Sequence, residues 1–235
     1  MEPLQVLPVP GLGEVTTGVE LGALLDDAAD AAGTPLAAGD CLVVTQKIVS
    51  KAEGRVVPLA SDDPAARRRL IEAESVRLLR RRDELFITQT PHGFVCANAG
   101  VDQSNVDPGH AALLPLDADR SARRIRDALR GRGIEVAVVI TDTFGRAWRN
   151  GLTDVAIGVA GLAAIVDLRG TSDASGRELA VTEVAIGDEV ASAAELVMGK
   201  DRDVPAAIVR GLPGEWFRES SVRELVRTAR DDLFR

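Results

Sequence analysis

Residues 134–146 read IEVAVVITDTFGR, and this stretch decides the fold class. Val and Ile fill most positions from Ile134 to Ile140, so the run reads as a strand buried on both faces. It closes on Thr141-Asp142-Thr143. A strand ending so delivers carboxylate and hydroxyl oxygens to its carboxyl edge, where open sheets place ligands. Upstream, Asp102 lies in CANAGVDQSNV among Asn98, Gly100, Gln103, Ser104 and Asn105, all small or amide-bearing. That composition suits a hard cation coordinated by oxygens.

Outward from this strand, the chain alternates irregularly between strand and helix patterns. Leu4–Val9 reads as a strand, Val19–Ala31 as an amphipathic helix, and Cys41–Thr45 as another buried strand. Ser61 to Arg82 reads as one helix, capped by Ser61-Asp62-Asp63-Pro64 and ending in the basic LLRRRDE. Phe86–Thr90 and Phe94–Asn98 flank Pro91-His92-Gly93 as a hairpin. Asp119 or Ser121 is the expected cap of a helix that Gly131 stops. Val155–Val159 and Ala163–Leu168 are strand candidates, Arg177–Val197 a long helix, Ala206–Arg210 a strand, and a charged helix follows from about Ser220. The expected class is therefore α/β (mixed α+β), with mixed sheets and antiparallel pairing. With no linker in the sequence, a two-lobed arrangement requires the chain to cross between lobes more than once.

Composition narrows the function. Thirty-six acidic residues against 28 basic ones, net −8, argue against general binding to nucleic acid. No apolar run approaches a membrane span, and MEPLQVLPVPG lacks a basic-then-apolar signal, so a cytoplasmic location is expected. Cys41 and Cys96 are the two cysteines, each inside a strand-like segment, and read as buried thiols. There is no GxxxxGK[ST], no complete GxGxxG after a strand, no GxSxG and no HExxH. His92 and His110 sit in loop contexts without other metal ligands around them.

Lysine is scarce: Lys47, Lys51 and Lys200 are three among 28 basic residues. A GC-rich codon bias would leave such survivors by chance. A bound phosphate would favour a compact ammonium at these places. Lys47 and Lys51 fall in VVTQKIVSKAEGR, where a buried strand opens into a polar segment that also carries Gln46.

VVTQKIVSKAEGR, NAGVDQSNV, ITDTFGRAWRNG with VAIGVAG after it, and LVMGK with VPAAIVRGL together, in this order and spacing, resemble the coenzyme F420-0:L-glutamate ligase family. The likeness runs from LPVPGLGEV to the RGL near the C-terminus. It implies a GTP-dependent enzyme that adds L-glutamate to the deazaflavin coenzyme precursor, with Mg2+ or Mn2+ (one or two ions) and K+ as cofactors. It also implies an intertwined homodimer of two-lobed chains. Residues 1–83 with 187–235 would form a nucleotide-facing lobe, and residues 84–186 a metal and substrate lobe.

Residue by residue, the resemblance puts Asp102 and Asp142 on the first cation and Thr143 on the second. Asn105, Gln46, Lys47 and Lys51 become GTP contacts, as do the turn Leu12, Gly13, Glu14 and Val15 and the segment Met198, Gly199 and Lys200. Asp102, Asp142 and Lys51 then carry the catalytic charge. One position departs. In archaeal members of the family the residue after Met-Gly is acidic and contributes to the second metal, whereas here it is Lys200, with Asp201 or Asp203 open to supply the carboxylate after a small shift. Arg146 and Arg149 are open between clamping a substrate anion and pairing with Asp154. Phe144 and Trp148 are open between core packing and stacking on the deazaflavin. A ligase acting on another carboxylate metabolite and a non-catalytic nucleotide-binding homologue are the alternative readings. Some relatives fuse this domain to a flavin-binding reductase; no reductase activity is expected here.

Overall fold

In the computed structural model, which describes residues 3–60 and 63–233, the Asp142 strand is an interior member of a five-stranded sheet. The chain runs β1 (Gln5–Val9), α1 (Leu21–Ala31), β2 (Cys41–Thr45), α2 (Gln46–Ala52), β3 (Val56–Pro58), α3 (Pro64–Ala73), β4 (Arg77–Arg82), β5 (Leu85–Gln89) and β6 (Val95–Ala97). It continues through β7 (His110–Ala112), α4 (Ala118–Gly131), β8 (Ala137–Arg146), β9 (Arg149–Ala160), β10 (Val166–Asp167), β11 (Glu183–Val184), α5 (Ile186–Met198) and β12 (Ala206–Arg210). The main sheet has the order β1-β12-β2-β8-β9, with β2 and β8 parallel and the other pairs antiparallel. The mixed α/β class and its antiparallel pairing are therefore as expected.

Continuous apolar runs form β2 and β8 because both faces of the sheet are covered. Successive side chains point to opposite faces. Leu42, Val44, Val138, Ile140 and Ile208 pack with α1 and α4 through Leu25, Ala29, Ile125 and Leu129. Cys41, Val43, Ala137, Val139 and Val209 pack with α5 through Val190, Ala191 and Ala194. A third, smaller core joins Leu59, Ile71, Phe86, Ala99, Val101, Ala111 and Leu113 beside the three-stranded sheet β4-β5-β6. Among the described residues no helix is long and apolar enough to cross a membrane.

Five expectations are corrected. The helix read over 61–82 stops at Ala73, and Arg77–Arg82 is a strand paired with β5; Ser61 and Asp62 lie outside the described residues. Asp83, at φ 52°, makes the tight reversal between β4 and β5, and ladder hydrogen bonds override the helical preference of the arginines. Asp63 caps α3 by accepting from the Ala66 amide at 2.8 Å.

The cap of α4 is Asp117, which accepts from the Arg120 amide at 2.9 Å, rather than Asp119 or Ser121. Asp119 is buried inside the first turn, where it accepts from the Val159 amide at 2.8 Å and the Ser221 hydroxyl at 2.6 Å. The helix read over 177–197 begins only at Ile186, since Glu183 and Val184 pair with β10. From Ser220 the chain makes a single 3-10 turn, Val222–Leu225, in place of a helix. Finally, β8 does not end at Asp142. It runs to Arg146 and turns back into β9.

Candidate active site

Two parallel strands bring the first residues together. In the β2–β8 register Thr45 lies opposite Thr141, so Gln46 and Asp142 follow at the same carboxyl edge. There α2 begins, and Lys47 and Lys51, four apart, share one face of it. Gln46 faces the other way: it is fully buried, its side-chain amide lies 2.8 Å from the Ser50 hydroxyl, and that hydroxyl donates to the Leu113 carbonyl at 2.6 Å.

The NAG segment supplies Asp102. Asn98, Ala99 and Gly100 all take left-handed conformations, φ 52°, 56° and 72°. A side chain at Gly100 would press within 2.6 Å of Leu114 Cγ, so the turn needs glycine there. The reversal seats Asp102 against β7, with reciprocal backbone bonds to Ala112 at 3.0 and 2.8 Å. Its carboxylate meets Lys47 Nζ at 2.9 Å and accepts from the Ser104 amide at 2.8 Å and hydroxyl at 2.9 Å. Burial pushes the Asp102 carboxyl up. The Lys47 hydrogen bond, the Ser104 amide, the Lys47 charge and the Ser104 hydroxyl outweigh it and hold the group below the usual carboxylate range.

Asp142 is the opposite case. Its carboxyl is pushed up to about 7: burial raises it most, the Thr143 amide offsets part of that, the charges of Asp102 and Asp154 add to the rise, and Lys47 pulls it down. Asp142 thus feels the charges of Asp102, Asp154 and Lys47, although the four come from a loop, two strands and a helix. Cys96 belongs to the same neighbourhood: burial first, then the Asp142 charge, pushes its thiol up to about 12. It is a buried thiol, as expected, and no nucleophile.

A second knot of oxygens lies across the β8–β9 hairpin, where Thr143 pairs with Asp154. Thr143 donates to Asp154 at 2.6 Å and Thr141 donates to its other oxygen at 3.1 Å. Lys200, just past α5, ion-pairs with Asp154 and with Glu195, both at 3.1 Å, and donates to Thr143 Oγ1. Burial works to lower the Lys200 pKa, but the Asp154 charge, the hydrogen bonds to Glu195 and Asp154, and the Glu195 charge leave it raised.

The remaining sequence-predicted residues fall as follows. Lys51 pairs with Glu14 at 2.8 Å, so α2 and the GLGEV turn meet. Leu12 and Val15 are buried in the main core, and Gly13 is exposed at φ 67°. Asn105 is exposed with a left-handed backbone, φ 53°. Met198 is buried as the last residue of α5, and Gly199 ends that helix at φ 63°. Arg146 donates to the Asn150 carbonyl at 2.9 Å within its own hairpin instead of pairing with Asp154. Phe144 packs edge-on against Phe94, centroids 6.1 Å apart, whereas Trp148 is 87% exposed at the hairpin tip and takes no part in the core.

Asp154 and Glu195 did not stand out in the sequence. A hairpin register counted across the four residues Ala147–Asn150 would have placed Asp154 opposite Thr143, but no spacing announces Glu195. Among the described residues no group of three His, Cys, Asp or Glu side chains is arranged to hold a metal. The two places differ in their fit to a cation. Asp142 is a carboxyl whose ionisation burial and negative neighbours oppose, which a cation would relieve, and Asp102 can be shared between Lys47 and that cation. At the Thr143–Asp154 place a second divalent ion does not fit, because the Lys200 ammonium already lies among its oxygens. Clefts of about 580 and 270 Å3 elsewhere share no lining residue with either knot.

Comparison with known proteins agrees with the resemblance. A family profile described as F420-0:Gamma-glutamyl ligase matches residues 11–211. A relative named coenzyme F420:L-glutamate ligase from Methanothermobacter thermautotrophicus is 42% identical, covering 99% of both chains. Relatives of the same name from Methanopyrus kandleri (42% identical, 99% of this chain and 98% of that one) and Methanocaldococcus jannaschii (38%, 86% of each) extend the set.

Proposed function

The chain belongs to the F420-0:gamma-glutamyl ligase family, and we propose that it joins L-glutamate to the coenzyme F420-0 precursor at the expense of GTP, through an acyl phosphate. The observation that carries this reading is Asp142: a buried acid in β8, level with the carboxyl end of the parallel strand β2, that feels the charges of Asp102, Asp154 and Lys47. Such a group calls for a cation, and cations are what phosphoryl transfer between anions needs.

In this reading a carboxylate oxygen of the precursor attacks the γ-phosphorus of GTP. The bond from that phosphorus to the β–γ bridging oxygen breaks, and GDP leaves with the electron pair. The α-amine of glutamate then attacks the carbonyl carbon of the acyl phosphate; the carbon–oxygen bond breaks, phosphate leaves, and the amine loses a proton to solvent. A Mg2+ or Mn2+ ion held by Asp102 and Asp142 would supply charge neutralisation on the phosphates. Lys51 and Lys47, on one face of α2, add point charges facing the same anions. Glu14 and Asp102 hold these ammonium groups in place until the nucleotide arrives. No side chain acts as covalent nucleophile, which suits a thiol as poorly ionised as Cys96.

Mass spectrometry of the products tests this. Incubation with the precursor, GTP, L-glutamate and Mg2+ or Mn2+ should yield the precursor extended by glutamyl residues, with GDP formed in step. GDP release that ignores the precursor, or no extended product, would refute the reading.

A further inference from the structure

Gly199 ends α5 and turns the next side chain back over the helix. Lys200 Nζ there lies 3.1 Å from Asp154 Oδ1 and 3.1 Å from Glu195 Oε1, and it donates to Thr143 Oγ1. These oxygens come from β9, α5 and β8. An ammonium has three protons to give and no lone pair to receive with, so three acceptors satisfy it. Asp154 is 2% exposed, so bulk solvent screens its charge little, and the Glu195 Oε2 atom is buried without a hydrogen-bond partner. Without Lys200 this knot would hold two carboxylates and two threonine hydroxyls with no positive charge among them, a set of hard oxygens fit for a divalent ion.

We propose that Lys200 is a tethered cation that takes the place of a second divalent ion, so that this chain binds a single divalent ion beside the nucleotide. Its ammonium holds Thr143 and Asp154, which pair across the β8–β9 hairpin one residue on from Asp142. A divalent ion at this position would have to expel the ammonium or sit a few ångströms from it, and repulsion at that range is severe in a partly buried site. The inference rests on the reading of Asp102 and Asp142 as the holders of the first ion.

Equilibrium dialysis with Mn2+, with GDP at equal concentration on both sides, separates the two claims. The wild-type protein should retain one Mn2+ per chain, Lys200→Gln two, and Lys200→Arg one, because the guanidinium keeps the charge. Asp142→Asn should retain none. Lys200 is half exposed beyond a helix end, so its variants should fold; Lys200→Ala serves as a second neutral replacement. A wild-type protein that retains two ions, or neutral variants that gain none over wild type, would overturn the inference. Equal retention by wild type and Asp142→Asn would instead refute the first-ion reading, and the gain on neutralising Lys200 would still be read independently.

Discussion

Asp142 carries two opposite effects that pH separates. Its carboxyl sits near 7 in the metal-free fold against 3.8 for an unperturbed aspartate, so between those values the folded state binds more protons than the unfolded one. Stability from this group is complete below about pH 4 and is lost as pH rises through 7, at a cost of the order of a few kcal/mol. Asp142→Asn should therefore melt higher than metal-free wild type at pH 8 and no higher at pH 4, while its ligase activity disappears. Equal melting at both values would contradict the burial of this charge. Because a cation must displace that proton, Mn2+ affinity of the wild type should fall about tenfold per pH unit below 7. Lys51→Ala should raise the KM for GTP roughly tenfold or more and leave that for glutamate nearly unchanged. Its pairing with the exposed Glu14 contributes little to folding, so the melting temperature should hold. At this scale Asp102, Asp142, Lys47 and Lys51 were legible because motif and chemistry coincide in them. Asp154 and Glu195 were not, since they enter through a hairpin register and a helix face that no local pattern reports.

At the scale of elements, the site depends on where β9 and α4 meet. Gly158 on β9 faces the first turn of α4, and an added Cβ would fall 2.4 Å from the Ala118 carbonyl carbon. The Ala118 carbonyl oxygen would be 2.5 Å away, and neither backbone contact can yield by a rotamer change. Gly158→Ala should thus cost about 1–3 kcal/mol, read as a lower denaturant midpoint in urea; an unchanged midpoint would mean that the two elements pack more loosely than described. Buried strands and the helix α1 were readable from apolar periodicity, which the covered sheet enforces. Arg77–Arg82 was not, because an arginine-rich run favours helix locally and becomes a strand only when β5 is there to pair with it. Asp119 misled for a related reason: its side chain serves β9 and Ser221 from inside the helix that it was expected to cap. The β8 strand outruns its apolar stretch since a hairpin partner, and not hydrophobicity, sustains its polar half.

For the whole molecule, the three cores explain why residues distant in sequence can share one edge. The main sheet aligns β2 with β8, and the small third core presents the Asp102 loop to them through β7. A homodimer is what the family resemblance implies, and sedimentation tests it: a mass near twice the chain's 24.8 kDa would support it, and a single-chain mass would remove it. The fold class followed from one apolar run, while the meeting of loop, helix and hairpin is a property of the assembled molecule. Anomalous diffraction from crystals grown with Mn2+ and GDP tests that meeting most directly. One manganese peak should lie roughly 2.0–2.3 Å from carboxylate oxygens of both Asp102 and Asp142. A peak touching one of them alone, or an ion held by neither, would contradict the account.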